Sequence, residues 1–239
     1  MITIQALPNL PQIHIGDNVA QEIVKSINEH NIPLKDNSIL CVASKVISIS
    51  ENRIVDLDQV EVSQTAFEMH KQLKRKDPSV IQMILESTPS QDGKDVEIIG
   101  NYIGAWLPNG LKLTSAGIDQ YEDHKVICLP DNPDLSAQHI SHYIYEKLGK
   151  KVAVIITDSD GRIDKLGATQ IAIGVYGIHP LRVVHVSEKT TSETICDMLA
   201  ASAGLMMGQR GTNKPVVLIH GFDFDFNENT SIKDAIVKR

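Results

Sequence analysis

The run Lys151-Val152-Ala153-Val154-Ile155-Ile156-Thr157 is apolar without alternation, and Asp158-Ser159-Asp160-Gly161-Arg162 follows it at once. A half-buried strand would alternate polar and apolar residues. An unbroken β-branched run bounded by polar residues predicts a strand buried on both faces, ending in a polar loop. Such a strand delivers carboxylates at its carboxyl end, where α/β proteins commonly bind ligands. Two acids and a hydroxyl so close together have two readings. They are oxygen ligands for a hard divalent ion that would bridge nucleotide phosphates, or they form an Asx-type turn in which Asp and Gly serve the backbone.

The rest of the chain supplies partners for that strand. Residues 17–30 predict a helix capped by Asp17 or Asn18, with Val19, Ile23, Val24 and Ile27 on one stripe. Residues 39–48 read as a strand running into a polar turn. Residues 63–87 predict two helices, the second opening with Asp77 as cap and Pro78 in its first position, where a missing N–H costs nothing. Residues 95–116 read as β structure with a hairpin turn at Pro108-Asn109-Gly110. Helices follow at 134–148, closed by Gly149, and at 192–207, ending at Gly208. Strands are expected at 181–187 and 215–220. Residues 50–62 and 119–133 read as linkers or active-site loops. The sum is an α/β mixture without strict βαβ repetition, so a doubly wound sheet is possible but not compelled.

Composition narrows the function. The formal net charge of −7 argues against a nucleic-acid binder, which needs a basic surface. No stretch approaches ~18 uninterrupted apolar residues, and no basic-then-apolar leader opens the chain, so a cytoplasmic protein without membrane contact is expected. Cys41, Cys128 and Cys196 each sit in apolar runs without metal or redox spacing, and read as core residues in a reducing compartment. Phe222-Asp223-Phe224-Asp225-Phe226 alternates as an exposed edge or loop does. His139 and His142 lie on the polar face of a helix rather than at metal-ligand spacing.

Three further segments carry candidate chemistry. Thr114-Ser115-Ala116-Gly117-Ile118-Asp119 offers a backbone that a ligand can approach and then a carboxylate, or simply a turn with a capping Asp. Ser44-Lys45, on or just after the second strand, offers a cation for phosphate, or a solvated lysine. Met207-Gly208-Gln209-Arg210-Gly211-Thr212-Asn213-Lys214 is Gly-containing and basic, so its N–H groups can meet phosphate; equally it is a helix C-cap and loop. It is not a Walker A loop. VIITDSDGR also looks like the Asp-x-Asp loop of haloacid-dehalogenase-type phosphohydrolases, with Asp158 as nucleophile and Asp160 as acid. Arg162 and the lack of a later Gly-Asp-x-x-x-Asp count against that reading.

Taken in order, these stretches resemble the coenzyme F420-0:γ-glutamyl ligase family. The resemblance rests on LPNL at 7–10, IGD at 15–17, ASKVIS at 43–48, DPSVIQMILES at 77–87, SAGID at 115–119, LPDNPDLSA at 129–137, VIITDSDGR at 154–162, GATQIAIGVYGI at 167–178 and the Met-Gly-Gln region at 207–209. It implies a single two-lobed α+β domain over residues 1–239, distinct from a standard Rossmann fold, and an intertwined homodimer. It implies a ligase that uses GTP or ATP as co-substrate, with Mg2+ or Mn2+, K+ being a further candidate cation. A carboxylate of an F420-0-like small molecule becomes an acyl phosphate, which the amine of L-glutamate attacks. The alternatives are a γ-glutamyl ligase for a folate-like or other acceptor, and a non-catalytic nucleotide-binding relative. By the resemblance, Leu7, Pro8, Asn9, Leu10, Ser44 and Lys45 line the nucleotide, and Met207 to Lys214 form a second wall. Asp119 and Asp158 are the catalytic pair and hold metal with Ser159 and Gln209. Ile49, Glu122 and Gln209 stand where the family commonly has a lysine, an asparagine and often an acid, differences that bear on nucleotide and acceptor more than on fold.

Overall fold

A computed structural model describes residues 1–187, 189–208 and 211–237. The chain divides into two compact units. The first comprises Met1–Asn52, Pro130–Ser159 and Thr169–Ala235; the second comprises Arg53–Leu129, Asp160–Ala168 and Ile236–Arg239. The class is the expected α+β mixture.

The first unit is built on a five-stranded sheet. Its strands are β1 (Thr3–Ala6), β2 (Ser38–Ala43), β9 (Val152–Gly161), β10 (Ala168–Tyr176) and β13 (Val216–His220), in the order β1-β13-β2-β9-β10. β13 runs antiparallel to both β1 and β2, whereas β2 and β9 are parallel. One parallel pair in a mixed sheet is not a doubly wound arrangement. The central strands are buried almost throughout: Ile39 to Val42 and Val152 to Thr157 are all inaccessible to solvent. A strand reaches that state only when both sheet faces are covered. Helix α6 (Ile195–Met207) meets Cys41 through Leu199 and Thr157 through Met207. Helices α1 (Val19–Glu29) and α5 (Pro133–Leu148) pack against each other, which leaves them to cover the other face. Asn18 caps α1 by accepting the Gln21 N–H, and Gly149 closes α5 at φ 64°.

Two features of this unit depart from the sequence expectations. Residues 39–48 are not one strand: the chain turns at Ala43 into helix α2 (Ser44–Ser50). Moreover, β9 does not end at Thr157 but continues through Gly161, so Asp158 stands inside a strand and is not part of an Asx turn. β11 (Arg182–Val186) and β12 (Lys189–Glu193) form a separate antiparallel pair, of which only the first strand was expected. The Phe222–Phe226 segment is a loop with half-buried Phe and exposed Asp, as its alternation suggests, and His142 is occupied by the Tyr176 hydroxyl at 2.8 Å.

The second unit contains α3 (Gln64–Gln72), α4 (Pro78–Glu86) and two small antiparallel sheets. Ser63 and Asp77 cap the helices, and Ala66, Ile81 and Leu85 form a solvent-free core between them. β4 (Val96–Ile99), β5 (Tyr102–Trp106) and β6 (Lys112–Thr114) make one sheet, with Gly110 at φ 96° in the expected hairpin turn. β3 (Ile54–Asp56), β7 (Asp119–Glu122) and β8 (Lys125–Ile127) make the other, in the order β3-β8-β7. The two stretches expected to be loops thus pair with each other. Strands this short cannot show period-two alternation, and Asp56 and Asp119 have poor β propensity. Among the described residues no helix is long and apolar enough to cross a membrane.

Candidate active site

Hydrogen-bond register brings most of the expected site residues of the first unit to one end of its sheet. Leu7, just past β1, donates its N–H to Val216 O at 2.9 Å. Val216 is aligned with Val42. Ala43, next along β2, donates to Pro215 O at 2.8 Å and is aligned with Thr157 of β9. The carboxyl ends of β1, β2 and β9 and the amino end of β13 therefore lie side by side. Leu7 to Leu10, Ser44, Lys45, Asp158, Ser159 and the approach to β13 all sit there.

The centre of this arrangement is Asp158. It is 9% exposed, and Ser44 donates its hydroxyl to Oδ1 at 2.6 Å. A short O–H···O contact of this kind is the strong, charge-assisted class. Ser44 is itself 5% exposed and opens α2, so the β2–α2 turn fixes its position. Ser159, next along β9, is half-exposed and Lys45 is exposed. Carboxylate and hydroxyl oxygens form the donor set a hard divalent cation takes, so these residues fit one chemically. Among the described residues no three His, Cys, Asp or Glu side chains gather as a metal cluster.

The LPNL segment is anchored rather than loose. Leu7 is 1% exposed, which leaves its backbone, not its side chain, to face a ligand. Pro8 O accepts the Ser26 hydroxyl at 2.7 Å, and Asn9, at φ 51°, has its Nδ2 3.1 Å from His30 Nε2.

The segment after α6 is both a helix C-cap and a loop folded on itself. Gly208, at φ 64°, donates to Gly204 O at 3.0 Å, and the Thr212 hydroxyl donates back to Met207 O. A Cβ on Gly208 would lie 2.6 Å from Thr212 Cγ2. Gly211 and Asn213 also have positive φ, and Lys214 is exposed. Met207 is buried and its sulfur accepts the Thr157 hydroxyl at 3.7 Å. Gln209 and Arg210, expected in this wall, lie outside the described residues.

Asp119 belongs to the second unit, where it is exposed at the start of β7. Ahead of it Ser115, Ala116 and Gly117 all take positive φ, at 53°, 56° and 70°. Two consecutive non-glycine residues there cost about 1–3 kcal/mol each and persist only where the surroundings impose them. The surroundings are visible. The Thr114 N–H donates to Asp160 Oδ1 at 2.8 Å, and its hydroxyl donates to Gly161 O at 2.9 Å. Asp160 is thus engaged in holding this turn. Glu122 pairs with Lys125 at 3.0 Å.

One residue of this neighbourhood was missed from sequence. Lys76, just before the Asp77 cap, is half-buried and donates to Ser115 Oγ at 2.8 Å. A single lysine in a basic linker (Lys74-Arg75-Lys76) carries no pattern that separates it from its solvated neighbours. Only the tertiary turn at Ser115 does.

Residues 8–221 match the profile of the F420-0:Gamma-glutamyl ligase family. Proteins named coenzyme F420:L-glutamate ligase are similar along nearly their whole length. That of Methanosarcina barkeri is 33% identical, covering 96% of this chain and 89% of the relative. That of Methanococcus maripaludis is 36% identical, covering 94% and 91%, and that of Methanocaldococcus jannaschii is 35% identical, covering 90% and 84%. With the match running over residues 8–221, most of the chain, the chain belongs to the F420-0:gamma-glutamyl ligase family.

Proposed function

We propose that this chain is a nucleotide- and metal-dependent ligase that joins L-glutamate to a carboxylate of an F420-type coenzyme. The observation that carries the reading is the Ser44–Asp158 pair at the sheet end, within a chain whose relatives are named for joining coenzyme F420 and L-glutamate. A carboxylate is a poor electrophile, and phosphorylation by GTP or ATP converts it into an acyl phosphate with a good leaving group. The glutamate amine then attacks the acyl carbon and releases inorganic phosphate.

The residues divide the work by position. Leu7 to Leu10, Lys45 and the Met207–Lys214 segment, including Gln209 and Arg210, bind the nucleotide. At the first unit's sheet end Asp158, Ser159 and Gln209 would hold Mg2+ or Mn2+, with K+ as a further candidate cation; Asp119 is the metal-ligand candidate of the second unit. When bound, the divalent ion supplies positive charge that offsets the charge on the transferred phosphoryl group. Ser44 keeps the Asp158 carboxylate turned toward the sheet end. The protein acts in the cytoplasm as a homodimer, a reading supported by the exposed β11–β12 pair.

Purified protein incubated with GTP or ATP, Mg2+ or Mn2+, glutamate and an F420-type acceptor tests this. Nucleoside diphosphate and a γ-glutamyl amide are expected in equal amounts. Absence of turnover across F420-type and folate-like acceptors would sink the ligase reading.

A further inference from the structure

The second unit contains a half-buried cation, Lys76, that Asp119 offsets only at a distance and that makes no direct ion pair among the described residues. Lys76 Nζ has three N–H groups. One is used on Ser115 Oγ at 2.8 Å, and among the described residues no carboxylate lies within ion-pair distance. Burial pushes this ammonium below the usual lysine range; Arg75 beside it adds to the effect and Asp119 opposes it. A charge taken partly out of water without a partner is costly, and proteins ordinarily compensate it with an anion. Here the compensation within the unit is incomplete.

The group that fixes the lysine is the most strained piece of backbone in its neighbourhood. Ser115 and Ala116 are both left-handed, and the turn is clamped at each end. Asp160 and Gly161 hold Thr114 before it. After it, a Cβ on Gly117 would lie 2.7 Å from Leu129 Cγ, and the Ile118 N–H closes onto Ser115 O at 3.0 Å. The effect is to present Ser115 Oγ, on a residue 9% exposed, as the acceptor for Lys76, with the Asp119 carboxylate four residues on. Strain held in this way is characteristic of sites where a group must be aimed.

We propose that Lys76, aligned by Ser115, binds an oxyanion, a phosphate or carboxylate group of a substrate. The proposal rests on the ligase reading for the identity of the ligands. The oriented ammonium is a point charge suited to either oxyanion, and its two remaining N–H groups are the donors. Lys76 is thus a binding residue and Ser115 a positioning residue that acts through it.

Isothermal titration of the full chain with pyrophosphate, GDP, ADP and an F420-type acceptor, each without glutamate, tests this apart from turnover. Lys76→Gln is expected to weaken one of these ligands at least tenfold while the thermal midpoint stays close to wild type. Loss confined to pyrophosphate and the nucleotides assigns the anion to the nucleotide; loss confined to the acceptor assigns it there. Ser115→Ala is expected to weaken the same ligand several-fold, with no further loss when combined with Lys76→Gln, because both changes remove one arrangement. Should Lys76→Gln fail to fold, the Ser115→Ala titration decides by the same criterion. Wild-type affinity for every probe in a folded variant overturns the proposal, and so does a wild-type chain that binds none of them. A chain that shows the ligand-specific loss yet no turnover would leave the Lys76 assignment standing and remove the ligase reading.

Discussion

Ser44 Oγ donates to Asp158 Oδ1 at 2.6 Å, so one hydrogen bond joins the first residue of α2 to a residue in the carboxyl-terminal half of β9 at the end of the sheet. The parallel register of β2 and β9 sets Ala43 level with Thr157, which makes the contact a direct consequence of strand pairing. Outer partners of metal-binding carboxylates typically contribute 10–100-fold to affinity or activity. Ser44→Ala is therefore expected to lower metal-dependent turnover by about 10–100-fold, while Asp158→Asn abolishes it; circular dichroism should show both folded. Undiminished turnover in Asp158→Asn would take that carboxylate out of the mechanism.

Gly174 on β10 leaves no room for a side chain. A Cβ there would lie 2.4 Å from the Pro133 carbonyl carbon and 2.7 Å from its oxygen. The start of α5 has no freedom to retreat, because Asp134 accepts the Val175 N–H and the Ser231 hydroxyl, each at 2.7 Å. Gly174→Ala should cost about 3 kcal/mol, at the upper end for overpacking a core, read as a lower urea midpoint at constant slope. Gly149→Ala is a control. Its Cβ would meet nothing within 4 Å, so only the left-handed backbone opposes it, at about 1–2 kcal/mol. Equal costs at the two sites would show that the Pro133 contact is relaxed by backbone movement.

The elements with strong local signals were legible: Asp77 as a cap, Asp17 or Asn18 as the cap of α1 (the structure uses Asn18), Gly149 and Gly208 as stops, and Val152 to Thr157 as a strand buried on both faces. What was not legible depends on partners distant in sequence. Asp158 looks like a turn residue beside Ser159 and Gly161, and only pairing within the sheet keeps it extended. Val46 and Ile47 are β-branched enough to read as a continuation of β2, yet the chain turns into a helix at Ser44 and so positions that residue. Asp56 and Lys125 find each other across short strands that have no period to read. Lys76 acquires meaning only through the left-handed turn at Ser115.

Burial holds the Cys41 thiol well above its usual value near 9. A folded-state value above the unfolded one means the native chain keeps its proton where the unfolded chain loses it. The stabilisation is complete below about pH 9 and declines as pH rises beyond it. The slope from this one thiol approaches about 1.4 kcal/mol per pH unit, and Cys196 behaves alike for the same reason. Cys41→Ala should cost stability at pH 8 by leaving a small void, but should flatten the decline between pH 9 and 10.5 by about half. Urea titrations across that range provide the check, and an unchanged slope would show that other groups govern alkaline unfolding.

β11 and β12 pair with each other in register from Arg182 opposite Glu193 to Val186 opposite Lys189, and among the described residues with no third strand. An isolated two-stranded hairpin is marginal in water. Among its described residues nearly all are exposed, and Val183 and Val186 are 53% and 60% accessible. The Arg182–Glu193 ion pair at 2.6 Å is surface-exposed and adds little. The proposed homodimer would give this arm a second chain to pack against. Sedimentation at micromolar concentration should give a dimer. Replacing Val183 and Val186 by lysine together should shift it toward monomer, because two charges would have to be desolvated in the contact, while each subunit retains its thermal transition. A monomeric wild-type chain, or a doubly substituted chain as dimeric as the wild type, would show that the arm does not hold the subunits together.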